Sequence, residues 1–226
     1  MTDWHVVVLA AGRGRRMGSS RHKALLPICE SGGTLDLILA WVSQRQPLSL
    51  TVVTGFDAAG VAERARSYPG VQTRHNPDPD TSGMLGSLAV GIADLAVTDP
   101  VLVLLADAVY REDFQRALDD LGTGTAIAVR QPPAERAPEV PVEVSGNVVR
   151  SLGREGDLEM AAAVQWGPRD VRAIAPAVAR GLTTQWQALE PLVDGGRRVD
   201  AVQVDSDSVF DVDTPADIDD ARRRLT

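Results

Sequence analysis

The chain has 226 residues, 44% of them hydrophobic and 24% charged, with a formal net charge of −8. Length and composition fit one α/β domain, taken as residues 1–226, and can bury a core without staples. Bulk charge excludes nonspecific nucleic-acid binding, the lone Cys29 excludes a disulfide or cysteine zinc site within the chain, and no apolar run reaches membrane-spanning length.

The start, Met1-Thr2-Asp3-Trp4, lacks a basic stretch, and the apolar run after it is too short for a signal peptide. A cytoplasmic setting is expected. The first predicted element is a buried strand over residues 5–10 (HVVVLA). Residues 49–54 (SLTVVT) and 100–106 (PVLVLLA) read the same way, as strands of a parallel sheet covered on both faces. Weaker strands are expected at residues 71–75, 125–129, 140–144, 148–152, 160–164 and 201–204. Between them, Thr34 caps a predicted helix that carries Leu35, Ile38, Leu39 and Val42 on one face. Further helices are expected over residues 58–67, 84–95 and 111–121. The last begins at Thr214-Pro215-Ala216-Asp217, an N-cap, a first-turn proline and an acid at the positive helix end. The Pro-rich stretch 131–141 reads as an exposed loop. This alternation predicts a three-layer α/β/α sandwich, Rossmann-like, around a mostly parallel mixed sheet.

The strongest local signal directly follows the first strand: Leu9-Ala10-Ala11-Gly12-Arg13-Gly14-Arg15-Arg16-Met17-Gly18. Small residues admit a ligand close to the backbone, and free N–H groups of such a turn cradle phosphate oxygens. Arg13, Arg15, Arg16, Arg21 and Lys23 concentrate five cations into residues 13–23 of an acidic chain. A dinucleotide loop fits less well. The third glycine is displaced, and the acid expected about 20 residues on is missing, since Asp36 falls in a predicted helix. Lys23 is the only lysine, beside 22 arginines. Its retention points to a task for a compact ammonium, such as holding a polyphosphate.

Asp107 ends the third strong strand, at the sheet edge that carries the glycine turn, and can hold Mg²⁺ together with phosphate oxygens. Asp211 and Asp213, in Phe210-Asp211-Val212-Asp213-Thr214, offer a second carboxylate; Asp211 is preferred and Asp213 stays open, with helix initiation as its competing role. His5, His22 and His75 are scattered and show no zinc spacing.

Together these segments resemble the nucleotidyltransferase superfamily that includes the sugar-phosphate, phosphocholine and molybdenum-cofactor nucleotidyltransferases. The match comprises residues 9–18 with Lys23-Ala24-Leu25-Leu26-Pro27, residues 76–88 (NPDPDTSGMLGSL), Leu105-Ala106-Asp107, and residues 210–217. The resemblance implies that Leu9, Ala11, Gly12, Arg13 and Gly14 line the nucleotide. It implies that Arg16 and Lys23 hold phosphates, that Gly83 and Ser87 lie near base and ribose, and that Asp107 and Asp211 bind Mg²⁺. It favours CTP as donor. Residues 142–155 (VEVSGNVVRSLGRE) resemble the strand–turn–strand of the sugar-phosphate and phosphocholine enzymes and would place Arg154 on the acceptor phosphate. Ala108-Val109-Tyr110 stands where molybdenum-cofactor enzymes have a proline, so a sugar phosphate, phosphocholine or phosphonate acceptor is expected before a molybdopterin. The implied reaction is transfer of a nucleoside monophosphate, CMP for preference, with release of pyrophosphate. The competing readings are a molybdenum-cofactor cytidylyl- or guanylyltransferase, a non-catalytic nucleotide-binding protein and an NAD-dependent oxidoreductase. Neither nucleic acid nor membrane is an expected partner, and a homodimer is left open.

Overall fold

The computed structural model describes residues 4–96, 98–119 and 121–225. Met1 to Asp3, and Asp120 within the fourth expected helix, lie outside the described residues.

The β-strands are β1 (His5–Ala10), β2 (Ser49–Thr54), β3 (Val71–His75), β4 (Val101–Leu105), β5 (Ala108–Tyr110), β6 (Ala126–Arg130), β7 (Pro141–Ser145), β8 (Val148–Leu152), β9 (Leu158–Trp166), β10 (Asp200–Gln203) and β11 (Val209–Asp211). The helices are α1 (Thr34–Gln44), α2 (Ala58–Arg66), α3 (Pro79–Ile92), α4 (Glu112–Asp119), α5 (Ile174–Ala179), α6 (Gln185–Asp194) and α7 (Pro215–Leu225). Nine strands form one sheet in the order β3-β2-β1-β4-β9-β6-β10-β8-β7, while β5 and β11 pair by themselves. β1 runs parallel to β2 and β4, and β10 parallel to β6, whereas β9 runs antiparallel to β4 and β6. The sheet is therefore mixed, as expected.

Alternation along β1 shows why it is central. Val6, Val8 and Ala10 enter the core beneath α1, α2 and α4, with Leu35, Val61 and Phe114. Val7 faces the other way, towards Leu85 of α3, Ile174 of α5 and Leu189 of α6. Two apolar cores on opposite faces of one sheet make the three layers. Among the described residues, no helix is long and apolar enough to cross a membrane.

Several boundaries differ from the sequence reading. Thr34 is the first residue of α1 and not its cap. Its hydroxyl donates to Ala106 O at 2.5 Å, and the cap position falls to Gly33, whose N–H donates to Asp36 Oδ2 at 2.9 Å. A Cβ at Gly33 would sit 2.2 Å from Ala24 O, so a cap with a side chain does not fit. α3 starts at Pro79, five residues before the expected start, and breaks at Gly83, where φ is +63°. α5, α6, β5 and β11 were not foreseen.

The chain passes from β1 through β2 to β3 on one side and then returns to place β4 on the other. The carboxyl ends of β1 and β4 thus flank a crevice at the point where strand order reverses, the usual ligand position in such sheets.

Candidate active site

The glycine-rich segment leaves β1 at this crevice. Gly14 (φ +57°) and Gly18 (φ +64°) take left-handed conformations on either side of a short 3-10 turn, Arg15–Met17. Such backbone favours glycine. A Cβ on Gly14 would also stand 2.9 Å from Lys23 Cδ, so the lysine passes directly over the loop. Met17 is buried with Ile28, Val109 and Val212 and anchors the turn.

His22, which showed no role in the sequence, braces the same loop. Its backbone N–H donates to Asp57 Oδ2 at 2.9 Å, and its Nδ1 accepts from Ala24 N at 3.2 Å. Burial lowers its pKa; Lys23 adds to the drop, and Asp107 and Asp57 only partly oppose it. The neutral ring keeps Nδ1 as an acceptor and so holds the start of the Lys23 turn.

Asp107 and Asp211, far apart in sequence, meet because β5 and β11 pair antiparallel, with Asp211 opposite Ala108. Val212 N donates to Asp107 O at 2.8 Å and extends the ladder. Buried Tyr110 fixes this small sheet: its hydroxyl accepts from Leu105 N at 2.9 Å and donates to Ala162 O at 2.8 Å. The neighbouring carboxylates feel one another. Burial raises the pKa of Asp211 to about 6, Asp107 and Asp213 push the same way, and Arg130 and Lys23 oppose them.

Lys23 ion-pairs with both Asp107 and Asp213, its Nζ lying 2.5 Å from Asp213 Oδ1. Burial favours its neutral form, but the two carboxylates outweigh burial and hold its pKa above the usual value. Arg16 reaches the other oxygen of Asp213 at 2.7 Å. Asp213 is thus tied to the two expected phosphate-binding cations, while Asp211 lies beside Asp107. The helix-initiating role weighed for Asp213 belongs instead to Thr214 and Asp217, whose Oδ2 accepts from Thr214 N at 2.7 Å.

Leu9, Ala11, Gly12, Gly83, Ser87 and Asp107 line one cleft. At Gly83 a Cβ would come within 2.7 Å of Thr183, which explains the glycine. Ser87 donates to Gly83 O at 3.0 Å and accepts from Asn76 Nδ2 at 2.9 Å, so it holds the kink open. Arg13 and Gly14 line a neighbouring hollow, where the Arg13 guanidinium stacks on Phe56, 5.2 Å from the ring centre.

A second cavity of about 220 Å³ adjoins the cleft across Leu105 and Met84 and reaches Asp211 and Trp186. Arg154 does not line it. Its guanidinium is held by Glu190 and Asp194 of α6, the former at 2.9 Å, so the expected acceptor contact is directed elsewhere. Arg130, at the end of β6, takes a place on the cavity wall that sequence reading did not assign.

Residues 6–201 match the model of the MobA-like NTP transferase domain, so Asp211 and Asp213 lie beyond the matched span. The bifunctional protein GlmU of Bifidobacterium longum (strain NCC 2705) is 38% identical over 106 residues, 45% of this chain and 22% of that protein. The chain therefore aligns with about a fifth of that relative's length. Among solved structures, the CTP:phosphocholine cytidylyltransferase of Streptococcus pneumoniae superposes with a TM-score of 0.78 at 16% identity, covering 99% of this chain and 100% of its own. The inositol-1-phosphate CTP transferase of T. maritima gives 0.78 at 13% identity, covering 99% and 96%. Similarity at these identities speaks for the fold, and the family match speaks for the class of enzyme: the chain belongs to the MobA-like NTP transferase domain family and is a nucleotidyltransferase.

Proposed function

We propose that the enzyme transfers a nucleoside monophosphate from an NTP to a small acceptor bearing a phosphate or phosphonate, with pyrophosphate as the second product. The observation that carries this reading is the meeting of the glycine loop, Lys23, Asp107 and Asp211 at one crevice that opens into a second, acceptor-sized cavity. CTP is the favoured donor, in line with two relatives of the same fold whose names specify CTP.

The residues present fit a magnesium ion. Asp107 and Asp211 are neighbouring carboxylates; burial first, and then the charge of Asp107, raises the pKa of Asp211, and a divalent cation offsets both. Among the described residues no cluster of three or more metal-ligating side chains occurs, which suits an ion that takes its other oxygens from phosphates and water. When bound, magnesium supplies neutralisation of the triphosphate charge.

The chain's own residues do the rest. Backbone N–H groups of residues 11–14 cradle the phosphates, and Arg16 and Lys23 balance their charge by exchanging part of their contact with Asp213 for phosphate oxygens. The kink of α3 at Gly83 shapes the cleft wall against which the nucleoside lies. The attacking acceptor oxygen is already anionic near neutral pH, so no general base is required, and positioning with charge stabilisation carries the rate. The test is a pyrophosphate-release screen of four NTPs with magnesium against glucose 1-phosphate, phosphocholine and 2-aminoethylphosphonate. Release that depends on one NTP and one acceptor together is expected; no release with any pair would contradict the reading.

A further inference from the structure

The cavity beside Asp211 carries information that the glycine loop does not. Arg130 is 11% exposed and sits on its wall. Its Nε donates to Glu159 Oε1 at 2.9 Å and its Nη1 to Val209 O at 2.6 Å. Two of the five N–H donors of a guanidinium are thereby used. Its Nη2 lies 3.7 Å from Asp211 Oδ2, beyond hydrogen-bond reach, so this edge faces the side of the cavity nearest the carboxylate pair.

Glu159 is the fixed point behind it. Only 2% of its side chain is exposed, and both oxygens are taken. Oε1 accepts from Arg130 and from Arg136 Nη2 at 3.0 Å; Oε2 accepts from Arg136 Nη1 at 2.7 Å and Glu139 N at 3.3 Å. With no lone pair left for a ligand, Glu159 serves to hold Arg130, and it also ties down the Pro-rich loop through Arg136.

The rest of the lining is mostly apolar. Met84, Val140, Met160, Val164 and Trp186 present thioether, aliphatic and indole surface, and Glu139 adds one carboxylate beside Val140. Gln185 is engaged, its Oε1 with Trp166 Nε1 at 2.9 Å and its amide against Met84 Sδ. Thr184 Oγ1 is a buried wall atom without a hydrogen-bond partner. A ring bearing several hydroxyls would leave most of them unpaired here, whereas a compact group with at most one polar end would not.

We infer that Arg130, aimed by Glu159 as a positioning residue, receives the phosphate or phosphonate of the acceptor, and that the acceptor's organic part is compact and sparsely hydroxylated. This inference rests on the nucleotidyltransfer reading above but is tested apart from it. The full-length enzyme is loaded with magnesium and α,β-methylene-CTP. Phosphocholine, 2-aminoethylphosphonate and glucose 1-phosphate are then titrated in turn, with Trp186 fluorescence as the signal and Trp186→Phe as the blank. Saturable quenching by at least one of the two compact probes, tighter than by glucose 1-phosphate, is expected. Arg130→Met weakens that binding by about tenfold or more, as loss of one partner of a buried charged contact does. Glu159→Gln weakens it too while leaving α,β-methylene-CTP affinity intact, a split that a merely structural role would not give. Unchanged acceptor affinity in Arg130→Met, equal loss of nucleotide and acceptor in Glu159→Gln, tighter binding of glucose 1-phosphate, or no binding of either compact probe would each overturn the inference. Acceptor binding that depends on Arg130 but yields no pyrophosphate with authentic CTP would leave the inference standing and remove the nucleotidyltransfer reading.

Discussion

The two halves of the crevice are built differently. On the nucleotide side, loop, lysine and brace occupy one continuous stretch, from Leu9 to Lys23, so local chemistry and local sequence coincide. On the proposed acceptor side, Arg130, Glu159, Trp186 and Asp211 come from β6, β9, α6 and β11, and only strand pairing and the packing of α6 on the sheet bring them together. A triphosphate is recognised by backbone and cations, which a short segment can supply. An acceptor is recognised by the shape and polarity of a wall, which needs the whole fold.

The largest effects separate chemistry from scaffold on the nucleotide side. Lys23→Ala and Asp107→Ala are each expected to lower kcat by about 10²–10³, as loss of one electrostatic contact in the transition state does. Steady-state pyrophosphate release checks this, and a drop confined to KM would move both residues out of the chemical step.

Next comes the hinge between the halves. Tyr110→Phe leaves Leu105 N–H and Ala162 C=O without their shared hydroxyl, at a cost of about 1–3 kcal/mol in a urea melt. A higher magnesium concentration for half-maximal activity should accompany it, because the hydroxyl fixes the strand that carries Asp107 towards Asp211. Gly14→Ala is expected to cost about 1–2 kcal/mol from its left-handed backbone. It should also impair CTP binding by crowding Lys23, while binding of the acceptor probes is spared. Loss of acceptor binding alone would blur the division between the halves.

The smallest effect is a pH dependence. Asp211 titrates at about 6 in the folded protein, against an ordinary value of about 3.9 when unfolded. Between those values the folded protein holds a proton that the unfolded chain has released. Stability of the metal-free enzyme therefore falls as pH rises through that window and levels off above it. Asp211→Asn removes the dependence. Metal-free, this variant should melt higher than wild type at pH 7.5, an advantage that shrinks towards pH 4, while turning over poorly. A melting temperature unchanged at pH 7.5 would show that the two carboxylates do not strain the fold.

The same division governs what the sequence disclosed. The three Val/Leu runs became β1, β2 and β4 because a continuous apolar run in a two-sided core has few alternatives. The loop, Lys23 and Asp107 were legible from their order at strand ends. β5 and β11 were not, since three residues each carry no periodic signal, and it is their register that sets Asp211 beside Asp107. α6 did leave a mark: Thr184 and Gln187 stand at capping-box spacing, and the Gln187 side chain accepts from Thr184 N at 3.1 Å. Arg130 left none. One arginine among 22, at the end of an ordinary strand, gains meaning only when Glu159 and Asp211 arrive beside it. Arg154 shows the converse, a residue well placed in the sequence motif whose guanidinium α6 claims.

In the proposed reaction Asp107 and Asp211 hold one cation together with the triphosphate. Manganese(II) titrated with CTP and followed by electron paramagnetic resonance tests it directly. Wild type should show a nucleotide-dependent site that disappears in both Asp107→Ala and Asp211→Ala, with Asp213→Ala retaining it. Full retention of that site in Asp211→Ala would contradict the account.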